Sequence, residues 1–239
     1  MHVLKFILIG LIIVTTCKAQ DNAKDYTVKD IDGNVYHTVK IGDQRWTVEN
    51  LRTTTYRDGN SISLDTTSAT WGQGTNGKYC FYNNTTNPDS IKKYGALYNW
   101  YAVNSKLLAP EGWHVPTNED WVILEAYLVD NGFNWDGTKV DKKYAKSLAA
   151  KSDWLFDSKP GSVGNDLSKN NQTGFSALPG GNRYYTGKFG NKGYYGNFWS
   201  GSDEEYTIGT FLLLPFQGET LDWLSSMAGG NSVRVIQGY

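Results

Sequence analysis

Glycine and aromatic residues set the strongest limit on how this chain can fold. Its 239 residues include 26 glycines, 16 tyrosines and 9 tryptophans, but only 6 prolines and 2 methionines. Glycines favour turns, and aromatic side chains favour short strands over long helices. Hydrophobic residues make up 39% of the chain and charged residues 20%, as in ordinary globular proteins. The composition therefore predicts a loop-rich globular domain and argues against a helical bundle.

The first 19 residues have the pattern of a secretory signal peptide. Lys5 precedes a short apolar run, and small residues lead to a cleavage site after Ala19. In the alternative, Cys17 carries the lipid of a bacterial lipoprotein. The apolar run is shorter than the roughly 20 residues that a membrane span needs. We therefore expect residues 20–239 to form one secreted, extracellular or cell-surface domain without a transmembrane segment.

Net charge and cysteine content limit which partners the chain can bind and which reactions it can catalyse. Without the first 19 residues the chain keeps 21 basic against 24 acidic residues, and so a net charge of −3. We therefore expect no nucleic-acid partner. Cys80 is then the only cysteine, and a solitary thiol is typically a small buried hydrophobic side chain.

Strand and helix signals are clearest in two regions. Residues 27–31, 35–41 and 45–48 are β-rich and are separated by glycine-containing turns, which predicts a meander of strands. A closing strand is predicted over residues 232–236, and we expect it to hydrogen-bond to an N-terminal strand between residues 27 and 41.

The clearest helix is predicted over residues 117–131. Thr117 and Asp120 form a capping-box pattern, and apolar residues recur at helical spacing until Gly132. The apolar stretch 94–103 predicts a second, short buried helix, and residues 52–93 read as loops.

Six phrases follow one another along the chain: DIDGNVYHTVKIGDQRWTVENL (30–51), YGALYNWYAV (94–103), GWHVPTNEDW (112–121), TGFSALPGGNR (173–183), YYGNFWSGS (194–202) and SVRVI (232–236). Together they resemble the Fibrobacter succinogenes major paralogous domain family, over residues 20–239. The third phrase is also similar to formylglycine-generating-enzyme-like proteins, which have a C-type lectin-like architecture. The resemblance implies an α+β, C-type lectin-like fold, in which two helices flank small twisted antiparallel sheets, with a long irregular loop region and paired termini. It also implies a secreted or surface protein of Bacteroidetes or Fibrobacteres with no assigned activity.

Two structural expectations follow from that resemblance. Arg183 and Arg234 lie in its phrases, so we expect at least one to be buried and paired with a carboxylate or backbone carbonyls. The family pattern carries cysteines where this chain has Ala109 and Val235. The resemblance thus implies a disulfide in relatives, and buried neighbouring positions here.

The sequence contains no catalytic motif in a suitable context. Residues 72–77 match GxGxxG, but a strand is predicted where a dinucleotide site requires a helix. His37 and His114 lie outside any HExxH or Cys/His cluster, and no GxSxG is present. Formylglycine chemistry depends on cysteines, of which only Cys80 remains. We therefore expect no metal and no cofactor, with calcium left open because acidic residues can bind it without a recognisable motif.

Aromatic and acidic residues late in the chain form the candidate ligand site. Rings on glycine-rich loops can stack on sugars or anchor a protein partner, although they can equally fill a core. Several acidic residues lie nearby in the sequence, and they could form solvated turns, contact a ligand or act as hydrolytic carboxylates. They are Asp203, Glu204, Glu205, Glu219 and Asp222. The candidate ligand-binding residues are Tyr184, Tyr185, Tyr194, Tyr195, Trp199, Asp203, Asp222 and Trp223.

These features favour a non-enzymatic binding domain whose loop face recognises a glycan or a cell-surface protein. Two alternatives remain open: a secreted carbohydrate-active enzyme that uses the loop carboxylates, and a structural accessory of a surface assembly. A cleft with two facing carboxyl groups would favour the enzyme. An exposed aromatic surface would favour binding.

Overall fold

The computed structural model describes residues 26–201, 209–225 and 229–238. These residues form small, mainly antiparallel sheets with few helices and long irregular segments, so the chain is of the α+β class. The predicted signal peptide, residues 1–19, and the candidate residue Asp203 lie outside the described residues.

The strands are β1 (Thr27–Lys29), β2 (Val35–Ile41), β3 (Gln44–Thr47), β4 (Ser63–Leu64), β5 (Lys78–Cys80), β6 (Leu97–Tyr98), β7 (Trp113–His114), β8 (Asn182–Arg183), β9 (Phe189–Gly190), β10 (Tyr195–Ser200), β11 (Thr210–Pro215), β12 (Asp222–Ser225) and β13 (Ile236–Gln237). The helices are α1 (Ser68–Trp71), α2 (Pro88–Tyr94), α3 (Trp100–Asn104), α4 (Asn118–Asp130) and α5 (Ala145–Leu148). Single 3-10 turns occupy Tyr82–Asn84 and Leu167–Lys169.

The largest sheet contains the first and last described strands. Its order is β1-β2-β3-β13-β7, and all of its neighbouring strands are antiparallel. β2 has the predicted bounds, whereas β1 and β3 are shorter or shifted by one residue. Three smaller sheets have the orders β10-β11-β12, β4-β5-β6 and β8-β9, and β4 and β5 are parallel.

The predicted partner of the closing strand is wrong. β13 pairs through Ile236 with Trp46 of β3 and with His114 of β7, and not with a strand between residues 27 and 41. Both edges of β2 are occupied, by β1 and by β3, and β13 lies along the other edge of β3. The two ends of the domain thus share a sheet through other residues than expected. This pairing does not support the C-type lectin-like architecture.

The predicted long helix is confirmed as α4. The Thr117 hydroxyl accepts from the Asp120 backbone at 3.2 Å, and the Asp120 carboxylate accepts from the Thr117 backbone at 2.8 Å. This reciprocal cap satisfies amide groups that the first helical turn leaves unpaired. Trp121, Leu124 and Leu128 form its buried face. Among the described helices the next longest, α2, has seven residues, so one long helix stands where two were expected.

The stretch 94–103, predicted to be one helix, is divided into three elements. Gly95, at a φ of +72°, ends α2, and β6 then pairs with β5. The side chain of Asn99 accepts from the Ala102 backbone at 3.0 Å and thereby starts α3. Apolar composition alone does not distinguish a buried strand from a buried helix, because both are apolar on every side.

Aromatic side chains fill the two main cores. In the first, the Trp121 ring lies 4.7 Å from that of Trp46 and 6.0 Å from that of Phe175. The second contains Tyr98, Trp100 and Trp199, together with Ala109 and Val235. Ala109 and Val235 are therefore buried in one core, and their being direct neighbours stays a prediction. Cys80 is buried in a third, smaller cluster.

Both arginines of the family phrases are buried, which confirms that prediction. The Arg234 guanidinium donates to the carbonyls of Thr47 at 2.7 Å, Phe175 at 2.9 Å and Ser176 at 3.1 Å, and to the Asn50 side chain at 2.7 Å. Arg183 donates to the carbonyls of Gly187 and Asp65. The two side chains therefore tie segments distant in sequence to one another.

Candidate functional site

The structure separates the residues that were predicted to bind a ligand. Trp199 is fully buried in the second core, and its Nε1 donates to the Tyr98 carbonyl at 2.6 Å. As a ligand-contacting residue it is therefore corrected to a core residue, because no ligand reaches a side chain without exposed surface. Asp222 is exposed in β12. Trp223 follows it in that strand, and its side chain lies outside the described part of the molecule.

The four candidate tyrosines come from two segments, the turn between β8 and β9 and the start of β10. Tyr184 and Tyr185 are exposed in the turn between β8 and β9. Tyr194 is exposed and packs edge-on against Phe216, with 5.4 Å between ring centroids, while Tyr195 is half-buried beside it. No described contact joins one pair of tyrosines to the other. The described contacts therefore do not join all four tyrosines into one aromatic face.

One cleft, of about 740 Å³, lies at the start of α4 and contains His114 and Asp120. The Asp120 Oδ2 accepts from His114 Nε2 at 2.9 Å and from both the backbone and the hydroxyl of Thr117. Burial opposes ionisation of Asp120, but these hydrogen bonds outweigh burial and lower its pKa. The carboxylate is thus committed to capping the helix. The cleft ends at Gly201, next to residues outside the described chain.

A second cleft, of about 430 Å³, is lined by residues between Phe133 and Gln172. We call it the Trp135 cleft, and residues 133–135, α5 and the loop 160–172 form it. Its lining includes the aromatic rings of Phe133 and Trp135, the lysines Lys146, Lys151 and Lys169, and the amides Asn165, Asn170, Asn171 and Gln172. An aromatic surface with a few convergent polar groups is typical of a small-ligand site.

Several contacts hold Trp135 at the rim of this cleft. Its backbone donates to the Lys143 carbonyl at 3.1 Å, and the buried side chain of Asn134 accepts from the Lys143 backbone at 2.9 Å. Gly161 lies flat against the indole, so closely that a Cβ there would stand 2.2 Å from a ring carbon. The indole Nε1 donates to Glu219 at 2.9 Å. With these contacts made, Trp135 still leaves 40% of its surface exposed.

Two buried polar side chains form the base of the cleft. The Lys146 ammonium donates to the carbonyls of Ser162 at 3.1 Å, Asp166 and Asn165, and burial lowers its pKa. The Asn170 amide nitrogen donates to the carbonyls of Ala150 at 3.0 Å and Val163 at 3.1 Å. These contacts hold the loop 160–172 in shape. They also fix the orientation of the Asn170 amide, because only its nitrogen can face two carbonyl oxygens.

The Asn170 side chain has one unsatisfied atom. It is only 1% exposed, and its Oδ1 has no hydrogen-bond partner among the described residues. A buried acceptor without a partner costs about 1–3 kcal/mol. Because this oxygen has almost no exposed surface, a ligand in the cleft does not reach it directly.

Glu219, one of the acidic residues considered for hydrolysis, positions Trp135. Its carboxylate accepts from Lys159 at 2.7 Å and from the indole at 2.9 Å. The hydrogen bond from Lys159, followed by that from Trp135, lowers the pKa of Glu219. A carboxyl group held ionised in this way is poorly suited to act as a general acid.

The sequence predictions missed the Trp135 cleft altogether. Its residues come from irregular segments that have no periodic pattern. The one local signal is the turn-like sequence Asn134-Trp135-Asp136-Gly137, in which a large ring stands among residues typical of exposed turns.

A family model described as the Fibrobacter succinogenes major domain matches residues 39–237. The chain belongs to this family. The matched range contains every residue of the Trp135 cleft. No match was found among curated proteins or among solved structures. The described helices include none that is both long and apolar enough to cross a membrane. Within the same residues, no group of three or more His, Cys, Asp or Glu side chains is arranged to hold a metal ion.

Proposed function

We propose that this family member is a non-enzymatic binding domain that recognises a glycan in the Trp135 cleft. The observation that supports the proposal best is the fixed, part-exposed indole of Trp135 beside a cleft lined with amides and lysines. Aromatic rings offer an apolar face to a sugar ring, and amides and ammonium groups bind its hydroxyls. A ring held in place before binding loses little conformational freedom when the ligand arrives.

The proposal rests on the site and not on fold analogy. C-type lectin-like domains serve several functions, so that architecture would leave the ligand open even if it applied here. The strand pairing expected from it is also not the one observed. The proposal therefore depends on the aromatic, amide and lysine side chains that line the Trp135 cleft.

Glycan-array binding followed by calorimetry with the purified chain tests the proposal. Trp135→Ala should weaken binding of the best glycan by at least about tenfold, because truncating a central aromatic anchor typically costs about 2 kcal/mol. Trp135→Phe should lose less, since it keeps a ring. Tyr185→Ala and Tyr194→Ala, which also remove exposed aromatic rings, should bind like the unmodified chain.

The controls separate three results. Unfolding in urea establishes that each variant is folded before its binding is compared. Loss of binding in a tyrosine variant, with Trp135→Ala unaffected, would move the site to the tyrosines. Appearance of new reducing ends during incubation with the bound glycan would favour the carbohydrate-active enzyme.

The secreted or cell-surface location is proposed from residues 1–19 alone. Mass spectrometry of the exported protein should find Gln20 as its first residue if cleavage follows Ala19. A chain that begins with lipid-bearing Cys17 would instead support the lipoprotein alternative. Recovery of the full-length chain from the cytoplasm would contradict both.

A further inference from the structure

We infer that the Trp135 cleft selects an anionic saccharide, whose carboxylate or sulfate binds the ammonium group of Lys151. The inference rests on the proposed function and adds the class of ligand. It starts from the charge around the cleft: three lysines line it, and none of the described lining residues is acidic. The chain as a whole is slightly acidic, so this local excess of positive charge is not a general property of its surface.

The three lysines are not equally available. Lys146 is buried, and its ammonium is occupied by three backbone carbonyls. Lys169 lies 3.4 Å from the carboxylate of Asp166. Lys151 is exposed and makes no ion pair within the part of the chain that the structure describes. It is therefore the cation that an incoming anion can neutralise without displacing a partner.

The remaining groups of the cleft suit a sugar ring. The Asn171 side-chain oxygen accepts from the Ser176 backbone at 2.8 Å, which leaves its amide nitrogen free among the described contacts. Gln172 is exposed and its side chain makes no described hydrogen bond. Amide donors and acceptors are suited to hydroxyl groups, while Trp135 offers an apolar surface. A simple inorganic anion would use the lysine and leave the ring and the amides without a role.

Two pairs of probes test the inference by calorimetry. The first is tetragalacturonate against its carboxyl-reduced form, and the second is a hyaluronan tetrasaccharide against its carboxyl-reduced form. The members of each pair differ only in the carboxylate. Heparin oligosaccharides form the sulfate arm, and poly-glutamate presents carboxylates without sugar rings. We expect an acidic saccharide to bind about threefold to fivefold more tightly than its reduced partner, as an exposed ion pair implies.

Lys151→Gln should remove that difference and leave the weaker, Trp135-dependent binding of the neutral form. Lys29→Gln makes the same change of charge at an exposed position in β1 and should preserve the preference. Affinity for the acidic saccharide should also fall when NaCl is raised from about 50 mM to about 0.5 M, because salt screens exposed charges.

The outcomes distinguish this inference from the proposed function. Equal binding of acidic and reduced forms, lost in Trp135→Ala, would overturn the selection of anions and leave the glycan-binding function standing. Tight binding of poly-glutamate would show that the cleft recognises anionic peptides and would also overturn the inference. Absence of binding to every saccharide on the array and in the panel would overturn both.

Discussion

The indole Nε1 of Trp135 donates a hydrogen bond to the Glu219 carboxylate, 2.9 Å away in space and 84 positions away in sequence. The contact connects the segment after α4 to the segment after β11. It holds the indole at the rim of the cleft in one orientation, while Lys159 binds the other carboxylate oxygen. The placement of the candidate site thus depends on three surface segments at once.

Acidification should release Trp135. Hydrogen bonds from Lys159 and then Trp135 hold the pKa of Glu219 below its ordinary value of 4.5. A carboxyl group of this kind stabilises the folded state above pH 4.5, and the contribution is lost as the pH falls through the lower folded-state pKa. We expect the indole N–H resonance of Trp135, assigned with Trp135→Phe, to shift below pH 4.5. Glu219→Gln keeps an acceptor without a titrating proton and should remove this shift.

A methyl group at Gly161 should displace Trp135. Gly161 has a φ of +85°, and a Cβ there would collide with the indole at 2.2 Å. Gly59 has a φ of +90° with no atom within 4 Å of such a Cβ, so Gly59→Ala is the matched control. Both alanine variants should lose about 1 kcal/mol of unfolding free energy to backbone strain. Only Gly161→Ala should lose more and bind saccharide more weakly, and equal effects in both assays would contradict the packing described.

Removal of the Arg234 guanidinium should destabilise the fold severely. Arg234→Met leaves three carbonyls and the Asn50 side chain without their donor. We expect a loss of about 3–5 kcal/mol in the free energy of unfolding, measured in urea. Arg57→Met, at an exposed arginine, should change it by no more than about 0.5 kcal/mol. Similar midpoints for the two variants would refute the structural role of Arg234.

A disulfide should form when Ala109 and Val235 are both replaced by cysteine. The two residues are buried in one core, and closing the long loop between them should stabilise the protein by about 2–4 kcal/mol. Cys80 should not compete, since its thiol is buried and burial raises its pKa to about 12. Mass spectrometry and urea unfolding with and without reductant measure the outcome. Ala109→Cys alone is the control, and a double variant that stays reduced under oxidising conditions would rule out the pairing.

Sequence signals that act over a few residues were sufficient to predict some strands and helices, but they were insufficient to predict the Trp135 cleft. β2 was predictable because a glycine-containing turn bounds it, and α4 was predictable because a capping box starts it. Both signals act over a few residues. The partner of β13 was not predictable, since the edge it joins depends on which strands already flank β2. The Trp135 cleft was missed for a related reason. Its shape comes from hydrogen bonds such as those of Lys146 and Asn170, which join loop segments that no periodic pattern connects.

The segment 230–236 bears on the order of events during synthesis. Single bridges join Gly230 to Arg183, Asn231 to Tyr98 and Ser232 to Phe198, and every acceptor of Arg234 also precedes it in the chain. In a nascent chain that has been translated only as far as residue 229, the strands of the small sheets are present but the bridges from residues 230–232 are not yet formed. Residue 236 must therefore leave the exit tunnel of the ribosome before this segment can make its contacts, so these contacts form after the strands that they join have been translated.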